Sequence, residues 1–410
     1  MKIKAPFPYF GGKSKIAPLI WERFGKVRNY IEPFCGSAAV LLARPDEPGV
    51  ETVNDADAYI SNFWRAVSRE PEAVAVYADW PVNEADLQAR HRWLVGCEYP
   101  EPVVPRRYRW PWLRSIWLAG YRGTNKSYIE AFRERIKSDP DFYDVRIAGW
   151  WVWGACCWIG SGWCSPDSMV IKHEFIRRMP NSVRKGVLSK RIQLSGHGVG
   201  RGVHRKRVNI GDNVTGKGVH KRPLDGDGPA AARPQLADKY ARGRGVHANN
   251  AATTCEVRRR WLMQWFETIR DRLRSVRVCC GDWLRVCNSP SVTTRIGVTG
   301  ILLDPPYPRK TESGQRCDRI YGTDIHGDKS PEKIRDEVLA YCLERGQNTD
   351  FRIAVCGYEG DGYEALEKQG WSVVAWKSRG GYGNRTDGQN TNRSRERVWF
   401  SPHCIQTHLF

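Results

Sequence analysis

The sequence predicts an α/β fold, with one sheet carried in two stretches of chain on either side of a long insertion. Three observations predict it. Short apolar runs end repeatedly in clusters of polar residues and glycine, and helical patterns alternate with them. These runs fall in two well-patterned regions, one near the N-terminus and one in the last third of the chain. Between the two regions the patterning gives way to tryptophan-rich and glycine-rich basic sequence.

Taken in order, Tyr30-Ile31-Glu32-Pro33-Phe34 is a strand pattern. It runs into Cys35-Gly36-Ser37-Ala38-Ala39-Val40-Leu41-Leu42, a turn of small residues that opens a helix. Glu51-Thr52-Val53-Asn54-Asp55 is the next strand, and a helix follows over about 57–67. Later, Trp261, Leu262, Trp265, Phe266, Ile269 and Leu273 recur at helical spacing, so one face of that helix is buried. Residues 276–280 form a strand that ends at Gly281-Asp282-Trp283. Gly300-Ile301-Leu302-Leu303 forms another, ending at Asp304-Pro305-Pro306-Tyr307. Residues 351–356 form a third, ending near Gly357-Tyr358. Ligands of open α/β sheets bind beyond the carboxyl ends of the strands, so these endings are the candidate site.

A chain of 410 residues fits one large domain or two ordinary ones. A hydrophobic content of 41% with 18 Trp excludes a mainly disordered chain. No apolar run reaches the roughly 18 residues that a membrane span needs. The N-terminal MKIKAPFPYFGGK has no apolar segment of secretory type, so a cytoplasmic location and no membrane partner are expected. None of the 13 Cys pairs at C-x-x-C spacing, and reduced thiols follow. Cys279, Cys280 and Cys356 sit in apolar runs as small hydrophobes. A zinc knuckle from Cys156, Cys157, Cys164 and His173 is the alternative, but adjacent cysteines chelate one tetrahedral ion poorly, so no metal is expected.

The net charge of +20 favours a polyanionic partner, and nucleic acid is the obvious one. The surplus is uneven. Residues 184–222 hold eleven Lys/Arg against the single acid Asp212, half of the net surplus. Gly200-Arg201-Gly202-Val203-His204 is echoed at Gly216-Lys217-Gly218-Val219-His220 and at Gly243-Arg244-Gly245-Val246-His247. Glycine at this density opposes helix, so 184–250 reads as a long basic loop. It is either a solvated linker or a loop lying on a phosphate backbone, and its one-sided charge favours the second. Arg201, Arg205, Lys206, Arg207, Lys217, Lys221 and Arg222 are its candidate phosphate contacts. The stretch GWWVWGACCWIGSGW at 149–163 is either core or a platform on which bases pack. Arg106-Arg107-Tyr108-Arg109-Trp110 and Arg114 interleave basic and aromatic groups in the same way.

The strongest chemical signal is Asp304-Pro305-Pro306-Tyr307 after an apolar strand. Such a tetrad occurs by chance in on the order of one chain in a thousand of this length. An exocyclic amine on a nucleobase is a weak nucleophile because its lone pair is delocalised into the ring. Accepting hydrogen bonds from the N–H₂ localises that pair on nitrogen. The Asp304 carboxylate and the Pro305 carbonyl can do this together, with Pro305 and Pro306 stiffening the turn. Tyr307 offers a face on which an extruded base can stack. The second signal is Glu32-Pro33-Phe34-Cys35-Gly36-Ser37-Ala38, where strand, glycine turn and helix start together make a nucleotide-like pocket. Asp55 follows about twenty residues on, at the end of the next strand, where an acid binds ribose hydroxyls. The third is Tyr9-Phe10-Gly11-Gly12-Lys13, whose glycines admit a ligand and whose Lys13 could meet a carboxylate or phosphate.

The ordered set YFGGK (9–13), EPFCGSAAV (32–40), VNDAD (53–57), CGDW (280–283) and LLDPPY (302–307) resembles the Dam-like, D12-class DNA N6-adenine methyltransferases. Residues 395–402, RERVWFSP, also look like that family's C-terminal end. The resemblance covers about 1–70 and 276–402 and admits a phage or prophage type. It implies a Rossmann-like S-adenosylmethionine-dependent methyltransferase sheet interrupted by a large target-recognition insertion. The catalytic domain would comprise 1–70 and 276–410, with 71–275 as the insertion. It implies S-adenosyl-L-methionine as cofactor, with Tyr9 and Lys13 contacting it, Phe34 and Gly36 lining its methionine and ribose side, and Asp55 on the ribose hydroxyls. Asp282 would sit near the cofactor adenine, and Asp304, Pro305 and Tyr307 would hold the target base. Double-stranded DNA is the implied partner, in a bacterial or phage-infected cell, and a cognate restriction nuclease is admitted as a second. The family's F-x-G-x-G carries Ala38 at its second glycine, a change small enough to be tolerated. The acceptor chemistry also suits cytosine N4, adenine in RNA or a protein amide. A non-catalytic DNA-binding protein on a decayed methylase fold is the alternative from another class.

Overall fold

The computed structural model describes residues 3–9, 12–96, 124–158, 163–164, 246, 255–307, 329–376 and 395–406. Seven strands form one sheet: β1 (Asn29–Glu32), β2 (Val50–Asp55), β3 (Val276–Cys280), β4 (Thr299–Leu303), β5 (Phe351–Tyr358), β6 (Ser372–Ala375) and β7 (Glu396–Phe400). Their spatial order is β3-β2-β1-β4-β5-β7-β6. The first five are parallel, and β7 enters antiparallel between β5 and β6.

The central strands are buried on both faces, which explains their near-continuous apolar runs. Successive side chains alternate between two cores. Tyr30, Leu302, Ala354 and Cys356 pack on one face with Trp21, Phe24 and Phe63. Ile31, Ile301, Leu303, Ile353 and Val355 pack on the other with Ile334, Val338 and Tyr341. The first face is covered by α1 (Ala17–Phe24), the short α2 (Ala39–Leu42) and α3 (Ala58–Arg69), then α4 (Pro71–Ala78), α5 (Glu84–Val95), α6 (Thr124–Ser138), α7 (Val145–Cys157) and α8 (Cys255–Leu273). The second is covered by α9 (Leu284–Cys287) and α10 (Pro331–Arg345).

Local chemistry starts these helices where they start. Asp57 caps α3 by accepting from the Tyr59 N–H, Asp144 caps α7 through Ile147, and Ser330 caps α10 through Lys333. On α8, Leu262, Phe266, Ile269 and Leu273 are all buried, the face its spacing predicts. Its last turn is tied back to the sheet: Arg272 holds the fully buried Glu51 of β2 through two nitrogens, at 2.6 and 2.9 Å, and Arg44 adds a third contact at 3.1 Å. A buried carboxylate paired this fully is compensated for its desolvation. The tryptophan stretch is largely core, since Trp151 and Trp153 of α7 are buried and Trp151 packs edge-on against Phe7 at 4.9 Å.

The site's position follows from the strand order. The chain winds outward from β1 through β2 to β3, then crosses back to β4 on the other side of β1. The carboxyl ends of β1 and β4 therefore flank a topological switch point, where a crevice opens above an α/β sheet. Among the described residues, no helix is long and apolar enough to cross a membrane, and no cluster of three or more His, Cys, Asp or Glu could hold a metal ion.

Candidate functional site

At the end of β1 the chain turns through Phe34 and Gly36 into α2. Gly36 has φ +45°, and a Cβ there would lie 2.4 Å from the ring of Tyr9. Only glycine leaves room for that ring and takes that backbone without strain. Ala38 sits in the left-handed region too, at φ 47° and ψ 34°, fully buried as the N-cap of α2. An alanine held there is strained by about 1–2 kcal/mol.

Asp55, at the end of β2, meets this turn. Its Oδ2 accepts the Gly36 N–H at 2.9 Å and its Oδ1 accepts the Asp57 N–H at 2.9 Å. Burial, and then the neighbouring charge of Asp57, push its carboxyl up to about 7 against these two bonds. With a third backbone bond from Ala56, the carboxylate's two oxygens still keep room for one further donor. Asn54 joins three strand ends: its Nδ2 donates to the Pro33 and Gly281 carbonyls, both at 3.0 Å. Asn54 stands within the VNDAD motif with no role expected from the sequence, and alternation along β2 is the signal that could have found it. Glu32, also unassigned, is buried with its Oε2 accepting from the Tyr30 hydroxyl and the Leu41 N–H, each at 3.2 Å. Burial pushes its carboxyl up to about 8.

Asp282 follows β3. Its Oδ1 accepts the Leu284 N–H at 2.9 Å, and its Oδ2 pairs with Lys329 at 2.7 Å. Beside it the Trp283 ring lies 5.7 Å from Phe34, so β1 and β3 contribute one aromatic wall.

Asp304 extends β4 across the crevice, and Pro305 and Pro306 are buried behind it. Lys13 brings its ammonium to within 2.7 Å of Asp304 Oδ2 and 3.2 Å of the Tyr307 hydroxyl. The Tyr307 hydroxyl donates to Asp304 Oδ1 at 2.9 Å. Lys13 is 4% exposed and Asp304 20%. Burial works against the Lys13 charge, yet the Asp304 carboxylate outweighs it and the ammonium's pKa is raised. Burial and the Asp304 charge raise the Tyr307 phenol as well.

Tyr9, Phe34, Gly36, Asp55 and Asp282 thus ring the ends of β1, β2 and β3, while Lys13, Asp304 and Tyr307 meet at the end of β4. Lys13, expected on a cofactor, puts its ammonium on Asp304. Phe10 and Gly11 of the N-terminal motif lie outside the described residues, as do Arg201, Arg205, Lys206, Arg207, Lys217, Lys221 and Arg222 and the 106–114 stretch.

The model of one protein family, D12 class N6 adenine-specific DNA methyltransferase, matches residues 9–86. The matched segment spans Tyr9, Lys13, the Gly36 turn and Asp55, and runs past residue 70 into α5. No curated protein matches the chain.

Proposed function

The chain belongs to the D12 class of N6 adenine-specific DNA methyltransferases, and we propose that it methylates adenine N6 in double-stranded DNA with the residues at the β1–β4 crevice in distinct roles. The observation that carries this is the Asp304–Tyr307 turn at the carboxyl end of β4, directly across the switch point from the Gly36–Asp55 pocket.

Enzymes of this class use S-adenosylmethionine. The residues present fit it: Gly36 leaves a cradle that a Cβ would fill, Asp55 has acceptor capacity beside it, and Phe34 with Trp283 gives an apolar wall. In this reading Tyr9, Phe34 and Gly36 line the methionine and ribose side, Asp55 takes the ribose hydroxyls, and Asp282 faces the adenine. When bound, the cofactor supplies a methyl group already activated on a sulfonium. The chain has then to extrude the target base and aim its amine. Asp304 and the Pro305 carbonyl accept the two N6–H bonds, and Tyr307 supports the base. Asp304 Oδ2 takes the proton that the amine sheds once alkylated. Lys13 gives up Asp304 Oδ2 when the base enters.

Residues 71–275 are the target-recognition insertion of this proposal, between catalytic segments 1–70 and 276–410, and the basic loop holds the phosphate backbone. Deleting 201–222 is expected to weaken DNA binding and flatten its salt dependence, and an unchanged slope would remove that role. The reading also puts the chain in the cytoplasm of a bacterial or phage-infected cell. A cognate restriction nuclease would be the partner whose cutting the methyl mark blocks; cutting of host DNA on loss of the chain tests that. The enzymatic proposal is tested by incubating the full chain with duplex DNA and cofactor and analysing the nucleosides. N6-methyladenine is expected, and its absence, or N4-methylcytosine in its place, would overturn the assignment.

A further inference from the structure

Resting on the reading of the turns after β1 and β3 as cofactor walls, we infer that Asn54 is the positioning residue that draws those walls together and so sets the affinity for S-adenosylmethionine. Strand order poses the problem. β1 and β3 each pair with β2 and lie on opposite sides of it, so they run two strand spacings apart, about 10 Å. Beyond the strands that gap closes. The Phe34 ring, after β1, lies 5.7 Å from the Trp283 ring, after β3. The two turns therefore converge over the end of β2, and Asn54 is the side chain found between them.

Asn54 is buried, one residue from the end of β2. Its Nδ2 spends one hydrogen on the Pro33 carbonyl and the other on the Gly281 carbonyl, each at 3.0 Å. Pro33 immediately precedes Phe34, and Gly281 immediately precedes Asp282 and Trp283. One nitrogen thus bridges the backbone of two turns whose strands never pair. Each turn has a further tether to β2: the Asn54 carbonyl accepts the Cys35 N–H at 2.9 Å, and the Asp55 carbonyl accepts the Gly281 N–H at 3.1 Å. The side chain adds the link from one turn to the other. The residue type follows from the chemistry. Two carbonyls facing one atom need two donors on it, which a primary amide supplies; an ionised carboxyl offers none and a protonated one a single O–H. Asn29 makes a matched control. It too is buried, its Nδ2 donates to the Val292 carbonyl at 2.9 Å and to Thr299 Oγ1 at 3.2 Å, and in both asparagines Oδ1 is buried without a hydrogen-bond partner. Asn29 begins β1, so it makes the same two bonds at the end of the sheet opposite the crevice.

The test measures S-adenosylmethionine binding by calorimetry and methyl transfer to duplex DNA for full-length wild type, N54A, N54D and N29A. Melting temperatures are taken for all four, and binding is measured below the lowest. A wild type that binds no cofactor overturns the underlying reading, and the inference with it. Given wild-type binding, N54A should weaken it about 10- to 100-fold. N54D keeps the shape but not the paired donors and should lose about as much, which also answers the question if N54A fails to fold. At saturating cofactor both should keep kcat within about 3-fold of wild type, because Asp304 and Tyr307 stand beyond β4, across the crevice. N29A should lower the melting temperature as N54A does and leave cofactor affinity within about 3-fold of wild type. The inference is overturned if N54A and N54D bind the cofactor as wild type does, if N29A loses affinity as N54A does, or if the loss in N54A falls on kcat and not on cofactor affinity.

Discussion

Lys13 and Asp304, 291 positions apart, form an ion pair of 2.7 Å that occupies the carboxylate proposed as the amine acceptor. Tyr307 takes the other oxygen at 2.9 Å. In this state Asp304 is screened as an amine acceptor, and base entry has to displace the lysine. Lys13→Met keeps the aliphatic stem and removes the charge. It leaves a largely buried carboxylate with the Tyr307 hydroxyl as its remaining described partner. A loss of about 1–3 kcal/mol in a denaturant titration is expected, less than for a fully buried pair because Asp304 is partly exposed. Unchanged stability would mean that solvent already carries the Asp304 charge.

With Asp55 on the ribose hydroxyls as proposed, cofactor binding should depend on pH. Its carboxyl is pushed up to about 7 by burial and by Asp57, and the ionised form is the better acceptor for ribose hydroxyls. Affinity should therefore fall as pH drops below about 7, approaching tenfold per unit, and level off above it. Calorimetric titration from pH 5.5 to 8.5 checks this, with Asp55→Asn expected to bind weakly and without the pH dependence.

Glu32 sets a stability window with the opposite sense from an ordinary salt-bridged acid. Its folded pKa is raised from 4.5 to about 8, so the native state holds a proton that the unfolded chain has released. Stability is fully present below about pH 4.5 and falls as pH rises toward 8, by about 1.4 kcal/mol per unit for this one group. Glu32→Gln, which cannot ionise, should flatten that part of the melting-temperature profile and be the more stable protein above pH 8. A parallel decline in both proteins would assign the effect elsewhere.

Ala38 stands where the resemblance places a second glycine, and its φ of 47° is what a glycine would accommodate. Ala38→Gly should raise stability by about 1 kcal/mol, since relief of left-handed strain outweighs the added freedom of the unfolded chain. Equal or lower stability by urea denaturation would show that the strain is compensated locally.

The strand endings were readable because each carries a short apolar run and a chemically distinctive tail, so β1 to β5 and their polar termini stand out along the chain. The tryptophans at 151 and 153 could not be assigned between core and platform, because burial depends on what α7 packs against. The insertion of β7 between β5 and β6 has no local signal, since Glu396-Arg397-Val398-Trp399-Phe400 reads as a strand of either direction. The Lys13–Asp304 pair was hidden for a related reason: two residues so far apart in sequence meet only after the sheet has closed around the switch point. Left-handed φ at Ala38 was equally invisible, because composition suggests size and not backbone region.

The account centres on Asp304 as the acceptor that activates an adenine amine. Asp304→Ala removes that acceptor at the end of β4 together with the ion pair to the buried Lys13, so the melting temperature of the variant is measured alongside. The decisive measurement is the rate of N6-methyladenine formation on duplex DNA by this variant, with DNA affinity determined on the same sample. The account predicts methyl transfer reduced to background with DNA affinity near wild type; methylation at the wild-type rate would contradict it.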